Sequence, residues 1–335
     1  MSTHAIEIIQ IGAIEPHPDS SVERMEITHV WGWQCCVSKG QFKPGDKAIY
    51  IPPDYNVPTS HPSFLFLCKE GKTQERICVR RFRGALSQGL LISVPPEMAN
   101  LPVGTDVIDL LGIERYEPPI STGGMFVGAP SDLYAPKFDV ENMQRHMEVF
   151  TPGEEVIATE KIHGANARYS FAQNKDGHWV QFCGTRINWL AEDDENIWWM
   201  ALRQNPSIGE WCHAHAGMIL YGEVFGKVRH FKYGAKQNQI FFAAFAVLHQ
   251  NNYLDYDVAR PVVEAAGVSW VPLLYRGPYS PEKAFELAEG NSTWPGANHI
   301  REGVCIHPVK ERCDPNIGRV ILKVVSNEHL EKGKE

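Results

Sequence analysis

The stretch EEVIATEKIHGANARYSFA, residues 154–172, consists of two strand-like runs joined by a short turn. The first run is rich in Val, Ile and Thr, which are residues favoured in strands, and the turn contains Gly164. Lys161 stands where the first run meets the turn. A lysine at this point is a phosphate clamp, a nucleophile or a surface charge, and the rest of the chain has to distinguish among the three.

The sequence before this stretch predicts an all-β domain over residues 1–115. Short alternating apolar runs such as MEITHVWGWQCCVS and KAIYIPPDYNVP are separated by turn segments such as KGQFKPGD, a pattern typical of strands. Their spacing favours a small barrel of about five strands, with an OB-like β-barrel as the leading interpretation. A generic β-sandwich has the same periodicity and stays open as an alternative.

The remaining chain divides into a connecting segment and a second domain. Residues 116–150 are irregular and rich in Pro and Gly, which predicts a linker or strap. Residues 151–335 mix strand-like runs with helices, which predicts an α+β domain with antiparallel sheets and flanking helices. Helices are expected around NIWWMALRQ and after Ser280, which is suited to be an N-cap with Pro281 at the first helical position.

Composition limits the class of protein. The chain has 335 residues, enough for two ordinary domains. Its net charge of -8 argues against indiscriminate coating of nucleic acid. No apolar run approaches the length of a membrane helix, and the N-terminus lacks the features of a signal peptide. The eight cysteines show no C-x-x-C pair and no disulfide framework. We therefore expect a cytoplasmic protein, monomeric and without a membrane partner.

Charged residues occur inside or at the ends of otherwise apolar strand-like runs of the second domain. Burial of a charge is costly unless the charge is paired or binds a ligand, so such residues are candidates for function. In chain order they are Lys161, Arg186, Glu223, Glu302 and Lys323.

The order of these residues resembles that of a known family. The pattern is K-x-H-G-x-N, an Arg, G-E-x-x-G, a Phe-bearing strand, E-G and a strand Lys. It is similar to the covalent nucleotidyltransferase superfamily of ligases and RNA-capping enzymes, and EKIHGAN is similar to the RNA ligase 2 group. An OB-like domain placed before the catalytic domain resembles the ATP-dependent RNA ligases of the Deinococcus type. The resemblance covers nearly the whole chain and implies a nucleotidyltransferase (ATP-grasp-like) fold for residues 151–335.

The resemblance implies an ATP-dependent RNA ligase that seals 3′-OH/5′-phosphate nicks in nucleic-acid repair. A lysine attacks the ATP α-phosphate, the lysyl-AMP passes AMP to a 5′-phosphate end, and the 3′-OH then displaces AMP. The attacking amine must be neutral, whereas a free lysine has a pKa of about 10.4. We expect partial burial, Arg186, Lys323 and a bound metal to lower the pKa of Lys161.

The resemblance also implies a role for each matching residue. Lys161 is the nucleophile, and Glu302 holds Mg²⁺ or Mn²⁺. Lys323 neutralises the α-phosphate, Phe245 stacks on adenine, and Glu223 accepts hydrogen bonds from the ribose. The remaining residues expected at the nucleotide are Glu160, Ile162, His163, Asn166 and Arg186. Phe242 competes with Phe245 for the stacking role.

Two positions depart from the family pattern. Val325 stands where the RNA ligase 2 group has a second lysine, and Ala246 follows Phe245 where an Asp is usual. The first departure would weaken the step in which the α-phosphate is neutralised, unless Lys323 alone is sufficient for it. The second leaves the stacking ring in place.

Two basic stretches are candidates for contact with a nicked duplex or another RNA-containing polynucleotide. Residues 69–84 have six basic residues against two acidic ones, and residues 227–236 have four against none. The candidates are Arg80, Arg81, Arg83, Lys227 and Arg229, whose charges would contact phosphates. An ordinary charged hairpin is the alternative for the first stretch.

Three further functions stay open. A DNA ligase and a GTP-dependent capping-type enzyme belong to the same superfamily, although they usually carry the OB domain after the catalytic one. A non-catalytic OB-fold RNA-binding protein is the third, and retention of four charged residues in apolar strands argues against it.

Overall fold

The computed structural model describes residues 5–69, 71–116, 126–131 and 133–332. The chain forms two compact units. The first comprises Met1–Pro119 with Leu330–Glu335, and the second comprises Ile120–His329.

The first unit is built from short antiparallel strands. They are β1 (Ile8–Gln10), β2 (Ile14–Pro16), β3 (Met25–Val30), β4 (Trp33–Ser38), β5 (Lys47–Ile51), β6 (Tyr55–Pro58), β7 (Gln74–Ile77), β8 (Val79–Phe82), β9 (Ala85–Gln88), β10 (Leu90–Ser93) and β11 (Glu114–Arg115). The sheets run β1-β5-β10, β2-β3-β4, β11-β6-β7 and β8-β9. Inward-facing apolar residues of these strands, such as Ile49, Ile51 and Val57, are fully buried in the core.

The hairpin of β8 and β9 carries the arginines of the first basic stretch. Phe82 pairs with Ala85, so the turn consists of Arg83 and Gly84. Both have positive φ, 49° and 90°, as two-residue hairpin turns require. The turn therefore projects Arg83 at the tip of the hairpin.

The second unit contains two larger sheets. Its strands are β12 (Phe126–Val127), β13 (Glu141–Asn142), β14 (Glu155–Lys161), β15 (Ala165–Gln173), β16 (Trp179–Gly184), β17 (Trp189–Leu190), β18 (Ile219–Gly226), β19 (Ile240–His249), β20 (Asn252–Tyr253), β21 (Leu273–Pro278), β22 (Gly303–Pro308), β23 (Cys313–Asp314), β24 (Gly318–Arg319) and β25 (Leu322–Val325). The larger sheet runs β12-β17-β16-β15-β18-β19-β20, and the smaller runs β13-β25-β22-β14-β21. The β13–β25 pair is parallel, and the other strand pairs are antiparallel.

The helices of the second unit cover these sheets. They are α1 (Ile197–Gln204), α2 (Pro206–Ala214), α3 (Tyr256–Ala265) and α4 (Pro281–Ala288). A short fifth helix, α5 (Asn327–Lys332), begins in the second unit, and its residues from Leu330 onward are assigned to the first. The first three pack on the larger sheet, and α4 packs on the smaller one. The predicted cap of α4 is confirmed, because Ser280 Oγ accepts a hydrogen bond from the Lys283 amide at 3.2 Å. The sequence did not predict α2, α3, α5 or β21.

The segment predicted as a linker lies partly outside the described residues, namely at 117–125 and 132. Apart from Tyr116, its described part belongs to the second unit, where β12 pairs with β17 and β13 pairs with β25. Phe138 is buried between Tyr221 and Phe245, with ring centroids 5.3 and 4.6 Å away. Residues 133–150 are therefore packed against both sheets of the second unit.

All eight cysteines are free thiols, and they differ in exposure. Cys68 and Cys313 are exposed, whereas the others are buried or half-buried. Within the described residues, none of the helices is both long and apolar enough to cross a membrane.

Candidate active site

Strand β14 presents Glu160 and Lys161 to opposite faces of the smaller sheet, because successive side chains of a strand alternate. The Glu160 face carries Val156 and Ala158 into the core with α4. The Glu160 carboxylate is almost fully buried there and accepts hydrogen bonds from Ser292 Oγ (2.5 Å), the Thr293 amide (2.7 Å) and Thr293 Oγ1 (2.9 Å). Glu160 therefore ties β14 to the loop after α4, and its side chain is turned away from that of Lys161.

The Lys161 ammonium forms an ion pair with Glu302. Lys161 Nζ lies 2.5 Å from Glu302 Oε1, and the two side chains are only 25% and 12% exposed. Register brings them together, since Lys161 is opposite Gly303 in the β14–β22 pair. A Cβ at Gly303 would lie 2.1 Å from the Val324 carbonyl oxygen, so the residue after Glu302 has to be glycine.

The pKa of Lys161 is raised, which makes the prediction of a lowered pKa wrong for this structure. Burial is the largest single influence and lowers the pKa of Lys161, but it is outweighed by the raising influences together, of which the Glu302 carboxylate is the strongest. Conversely, burial would raise the pKa of Glu302, and the charges of Lys161 and His163 hold it well below its ordinary value. Neither Arg186 nor Lys323 is among the main influences on this pKa, whereas Glu302 lies 2.5 Å from the amine.

Three strands bring further side chains to the Lys161 face. Residues opposite each other in antiparallel strands share a face. Thr159 is opposite Cys305, and Cys305 is opposite Lys323. Lys161, Cys305 and Lys323 therefore lie on one side of the smaller sheet, and the electrostatic influence of both lysines on Cys305 agrees with this placement.

The turn after Lys161 is held by the backbone of the larger sheet. A Cβ at Gly164 would lie 2.3 Å from the Val224 carbonyl oxygen, so this close approach requires glycine. The His163 amide donates to Tyr233 Oη at 2.7 Å. Arg229 Nε donates to the Gly164 carbonyl at 3.4 Å. The turn is thus fixed on both sides, and Arg229 lies beside it.

The larger sheet supplies Asn166 and Glu223, which are opposite each other in the β15–β18 pair. Asn166 Oδ1 is buried without a hydrogen-bond partner. Burial raises the pKa of Glu223 to about 8 from its ordinary 4.5, although Lys161 opposes the shift. These two side chains add a neutral carboxyl and a free acceptor to the site.

A β-bulge directs Phe245 to the Glu223 face of the larger sheet. Tyr221 pairs with Ala246, whereas Gly222 pairs with Ala244, so Phe245 is the extra residue of β19. A bulge places its extra residue on the same side as the next one. Phe242 is buried on the other face, against Tyr169 at a ring distance of 5.2 Å. Phe245 is half-buried, and Phe242 is committed to the core.

Arg186 lies in the turn between β16 and β17 and contacts Asp139. Its Nη1 is 3.2 Å from Asp139 Oδ1, and Lys137 Nζ is 2.9 Å from Asp139 Oδ2. The buried Arg168 holds the same region by donating to the carbonyls of Ala135 (3.1 Å) and Ile187 (2.7 Å). Arg168 thereby positions the Arg186 turn, a role that the sequence analysis missed.

The remaining predicted residues occupy separate places. Ile162 is buried in the large core. Arg80 Nη2 is 3.4 Å from Glu75 Oε1, and Arg81 Nη1 donates to the Gly84 carbonyl at 3.2 Å. Lys227 is exposed just after β18. Arg80, Arg81 and Arg83 are exposed, and Glu75 balances part of the charge of Arg80.

The site has donor atoms suited to a divalent cation. Glu302 Oε2 and His163 Nε2 are buried without a hydrogen-bond partner, and Glu302 Oε2 lies 3.3 Å from His163 Nδ1. A carboxylate oxygen is a ligand for Mg²⁺ and Mn²⁺. The side chains present therefore fit a cation held by Glu302.

Comparisons with known proteins assign both units. The RNA ligase family model matches residues 154–325, and an OB-fold domain model matches residues 5–94. A search of curated proteins gave no match. The first match covers the strands of the Lys161 site, from β14 to β25.

Solved structures of Naegleria gruberi RNA ligase resemble the entire chain. A mutant in its apo form is 29% identical with a TM-score of 0.82, and it covers 100% of this chain and 99% of its own. The enzyme with PPi is 28% identical, with the same TM-score and coverage. A mutant with ATP and Mn is 28% identical, with a TM-score of 0.82 over 98% and 99% of the two chains.

These matches confirm the predicted order of an OB-like domain and a nucleotidyltransferase-type domain. They agree with the geometry of a buried lysine, two carboxylates and a second lysine brought together by two sheets. The chain belongs to the RNA ligase family.

Proposed function

We propose that the protein is an ATP-dependent RNA ligase that seals 3′-OH/5′-phosphate nicks through a lysyl-AMP intermediate. The observation that carries the proposal is the buried pair of Lys161 and Glu302, set opposite Glu223 in a chain of the RNA ligase family. The Naegleria enzyme has been obtained with ATP and Mn, which supports ATP as the nucleotide and a divalent cation as the cofactor.

The first chemical step takes place at Lys161 Nζ. The amine loses a proton and forms a bond to the α-phosphorus of ATP, while the bond from that phosphorus to pyrophosphate breaks. Glu302 Oε1 holds the amine in place at 2.5 Å, and such positioning removes much of the entropic barrier. A divalent cation on Glu302 would supply positive charge, which favours the neutral amine and balances the phosphate oxygens.

Other residues have roles that follow from their positions. Lys323 shares the face of Lys161 and would neutralise charge that develops on the α-phosphate. Glu223, protonated at neutral pH, offers both a donor and an acceptor to ribose hydroxyls. Phe245 is directed to the Glu223 face by the bulge, and it would stack on adenine.

The later steps use the polynucleotide. The 5′-phosphate end attacks the lysyl-AMP, which releases Lys161 and forms an AMP-capped end. The 3′-OH then attacks that end, the strand is sealed and AMP leaves. A nicked, RNA-containing duplex is the proposed substrate and nucleic-acid repair the proposed role. We infer a cytoplasmic location, which the eight free thiols support, and we propose that the protein acts as a monomer.

Label transfer tests the proposal. The full-length protein is incubated with α-³²P-labelled ATP and Mg²⁺ or Mn²⁺, denatured, and examined for label on the polypeptide. We expect acid-labile label from ATP, no label from GTP, and no label on Lys161→Ala. Lys175→Ala, at an exposed lysine of the β15–β16 turn, is the matched control and should be labelled normally.

The second half of the test uses nicked duplexes. The pre-labelled protein should pass AMP to a 5′-phosphate and seal a nick whose 3′-OH strand is RNA. Label on the protein with sealing of all-DNA nicks only would replace RNA ligase by DNA ligase. A protein that acquires no label with either nucleotide and either cation would leave an RNA-binding protein as the function.

A further inference from the structure

We propose that His163, Glu302 and His329 form a three-ligand site that binds a first-row transition-metal ion in preference to Mg²⁺. The inference deepens the proposed function and rests on it, because the ion would lie beside the nucleophilic lysine. His329 has no place in the residue pattern on which the family assignment rests.

The three side chains converge within the second unit. Each offers one ligand atom, and the three atoms lie within 4.8 Å of one another. The ring centroids of His163 and His329 are 5.1 Å apart. This spacing suits three donors arranged around one cation.

Two of the three side chains have buried atoms that make no hydrogen bond. Glu302 uses Oε1 for Lys161, whereas Oε2 is buried, makes no hydrogen bond and lies 3.3 Å from His163 Nδ1. His163 Nε2 is also buried and unpartnered. A buried polar atom without a partner is unfavourable, so two such atoms on side chains that converge with His329 indicate a ligand.

The backbone fixes His329 next to Glu302. The Ser326 amide donates to the Glu302 carbonyl at 2.8 Å. Ser326 Oγ accepts from the His329 amide at 3.2 Å and donates to Glu289 Oε2 at 2.7 Å. Because Ser326 is buried, the start of α5 is anchored on both sides, and His329 is carried toward the carboxylate.

Neighbouring aromatic rings pack against the imidazoles of both His163 and His329. The Phe231 ring lies 5.3 Å from His163 and 5.4 Å from His329. His230 contacts the same two rings at 4.7 and 6.1 Å. Packing of this kind limits ring rotation and keeps ligands in place.

The donor set determines which ion is preferred. Mg²⁺ takes oxygen ligands and retains several waters. Imidazole nitrogen suits transition metals, and two histidines with one carboxylate form a set that leaves positions open for other ligands. The site therefore favours ions such as Co²⁺ and Zn²⁺ over Mg²⁺, and Mn²⁺ is expected to bind more weakly than Co²⁺.

Direct binding of the metal tests the inference without any nucleotide. The full-length protein, stripped with a chelator, is titrated with Co²⁺ while visible absorption is recorded, and then challenged with a large excess of Mg²⁺. Mn²⁺ binding is followed separately by electron paramagnetic resonance, with pulsed detection of nitrogen coupling. We expect nitrogen-ligated spectra that survive the Mg²⁺ challenge.

Variants connect the spectra to the proposed ligands. Since loss of an outer-shell partner alone weakens metal binding about 10–100-fold, His329→Gln is expected to weaken Co²⁺ binding at least tenfold and to reduce the nitrogen coupling. His299→Gln is the matched control, because His299 stacks on the same Phe231 ring, at 4.3 Å, outside the triad. Thermal unfolding of both variants in chelator should match that of the wild type, which shows that the fold is intact.

Two results would overturn the inference: unchanged Co²⁺ affinity in His329→Gln, or complete displacement of Co²⁺ by Mg²⁺. Either outcome can coexist with label transfer from ATP, in which case only the three-ligand site is lost. Nitrogen-ligated metal without any label transfer would instead remove the proposed ligase activity and retain the metal site.

Discussion

The ammonium of Lys161 and the carboxylate of Glu302 stabilise each other's charged forms. Each is mostly buried, and each moves the pKa of the other toward ionisation. The lysine is therefore held in place but protonated, and it becomes a nucleophile only when the carboxylate charge is engaged by something else. Reactivity at this site depends on what binds Glu302.

Replacement of Glu302 by Gln should lower the pKa of Lys161. The change removes the largest influence that raises this pKa and leaves burial, which lowers it. The measurement is the rate at which a small amine-reactive reagent modifies Lys161 as a function of pH, followed by mass spectrometry of the peptide. We expect the rise in rate to move to lower pH, whereas Glu192→Gln, at an exposed carboxylate, should not move it. An unchanged profile would show that Glu302 does not control the amine.

Glu223 should make the protein less stable as the pH rises. Its pKa is about 8 in the folded state against 4.5 ordinarily, so between these values the folded state binds a proton that the unfolded state does not. The contribution is therefore fully present below about pH 4.5 and is lost as the pH rises through 8. Glu223→Gln removes this dependence, and its stability relative to the wild type should increase from pH 5 to pH 8.

Urea unfolding at several pH values checks the Glu223 prediction. Glu192→Gln again serves as the control, since its exposed side chain should leave the pH profile unaltered. Parallel profiles for the wild type and Glu223→Gln would contradict a raised pKa. A gain in stability with loss of label transfer would show that the buried carboxyl is kept for function.

Two close backbone contacts with neighbouring strands hold the site together. Gly303 lies against the β25 backbone and Gly164 against β18, in both cases with no room for a Cβ. Glycine thus allows the strand that carries Glu302 and the turn after Lys161 to approach their neighbours. The glycines of the K-x-H-G and E-G motifs are explained by packing alone.

Gly303→Ala should destabilise the second unit. The added Cβ would meet the Val324 carbonyl at 2.1 Å, and overpacking of this kind costs about 1–3 kcal/mol or more because backbone has to move. Gly128→Ala is the matched control, since a Cβ there meets nothing within 4 Å. The free energy of unfolding in urea should fall for the first variant only, and equal stability of the two would contradict the close contact.

The strands could be predicted better than the helices, for physical reasons. The runs around Lys161, Glu223 and Lys323 are long, apolar and rich in β-branched residues, so their periodicity was clear. Helix α3 contains Pro261 in its interior, a residue that normally breaks helices, and β21 ends in Gly277 and Pro278. Tertiary packing of Ala259 and Val263 into the large core outweighs the unfavourable local preference of α3.

Pairing across the site could not be read from the sequence. Lys161 and Glu302 are separated by 141 positions, and only the register of β14 with β22 shows that they touch. The same holds for the bulge that directs Phe245, and for His329, which follows the last strand in a short helix without any motif. The family resemblance identified the candidate site residues. The charge state of Lys161, however, depends on its distance from Glu302, which only the structure gives.

For the whole molecule, binding to polynucleotide has to overcome a net charge of -8. The arginines of the β8–β9 hairpin offer a local positive surface in the first unit, although Glu75 balances part of it. Favourable binding would thus come from a few phosphate contacts and should depend on salt.

Removal of two hairpin arginines should reduce that dependence. In Arg80→Gln/Arg83→Asn, Asn is chosen because it tolerates the positive φ of position 83. Each lost phosphate contact lowers the slope of log K against log salt by about 1, so a decrease of about 2 is expected. Lys39→Gln/Lys175→Gln removes the same charge from exposed positions elsewhere and should keep the slope. Binding of a fluorescent nicked duplex is measured, and equal slopes for both variants would exclude the hairpin.

Because the eight thiols differ in exposure, one cysteine in each unit can be labelled selectively with a thiol reagent. Exposed Cys68 belongs to the first unit and exposed Cys313 to the second. The other six are buried or half-buried. Burial raises the pKa of Cys212 to about 12 and that of Cys305 to about 11, which slows alkylation because the thiolate is the reactive form. Maleimide dyes on the native chain would therefore form a donor–acceptor pair across the two units. Energy transfer between the dyes would then report the distance between Cys68 and Cys313 in each ligand state, without engineered cysteines.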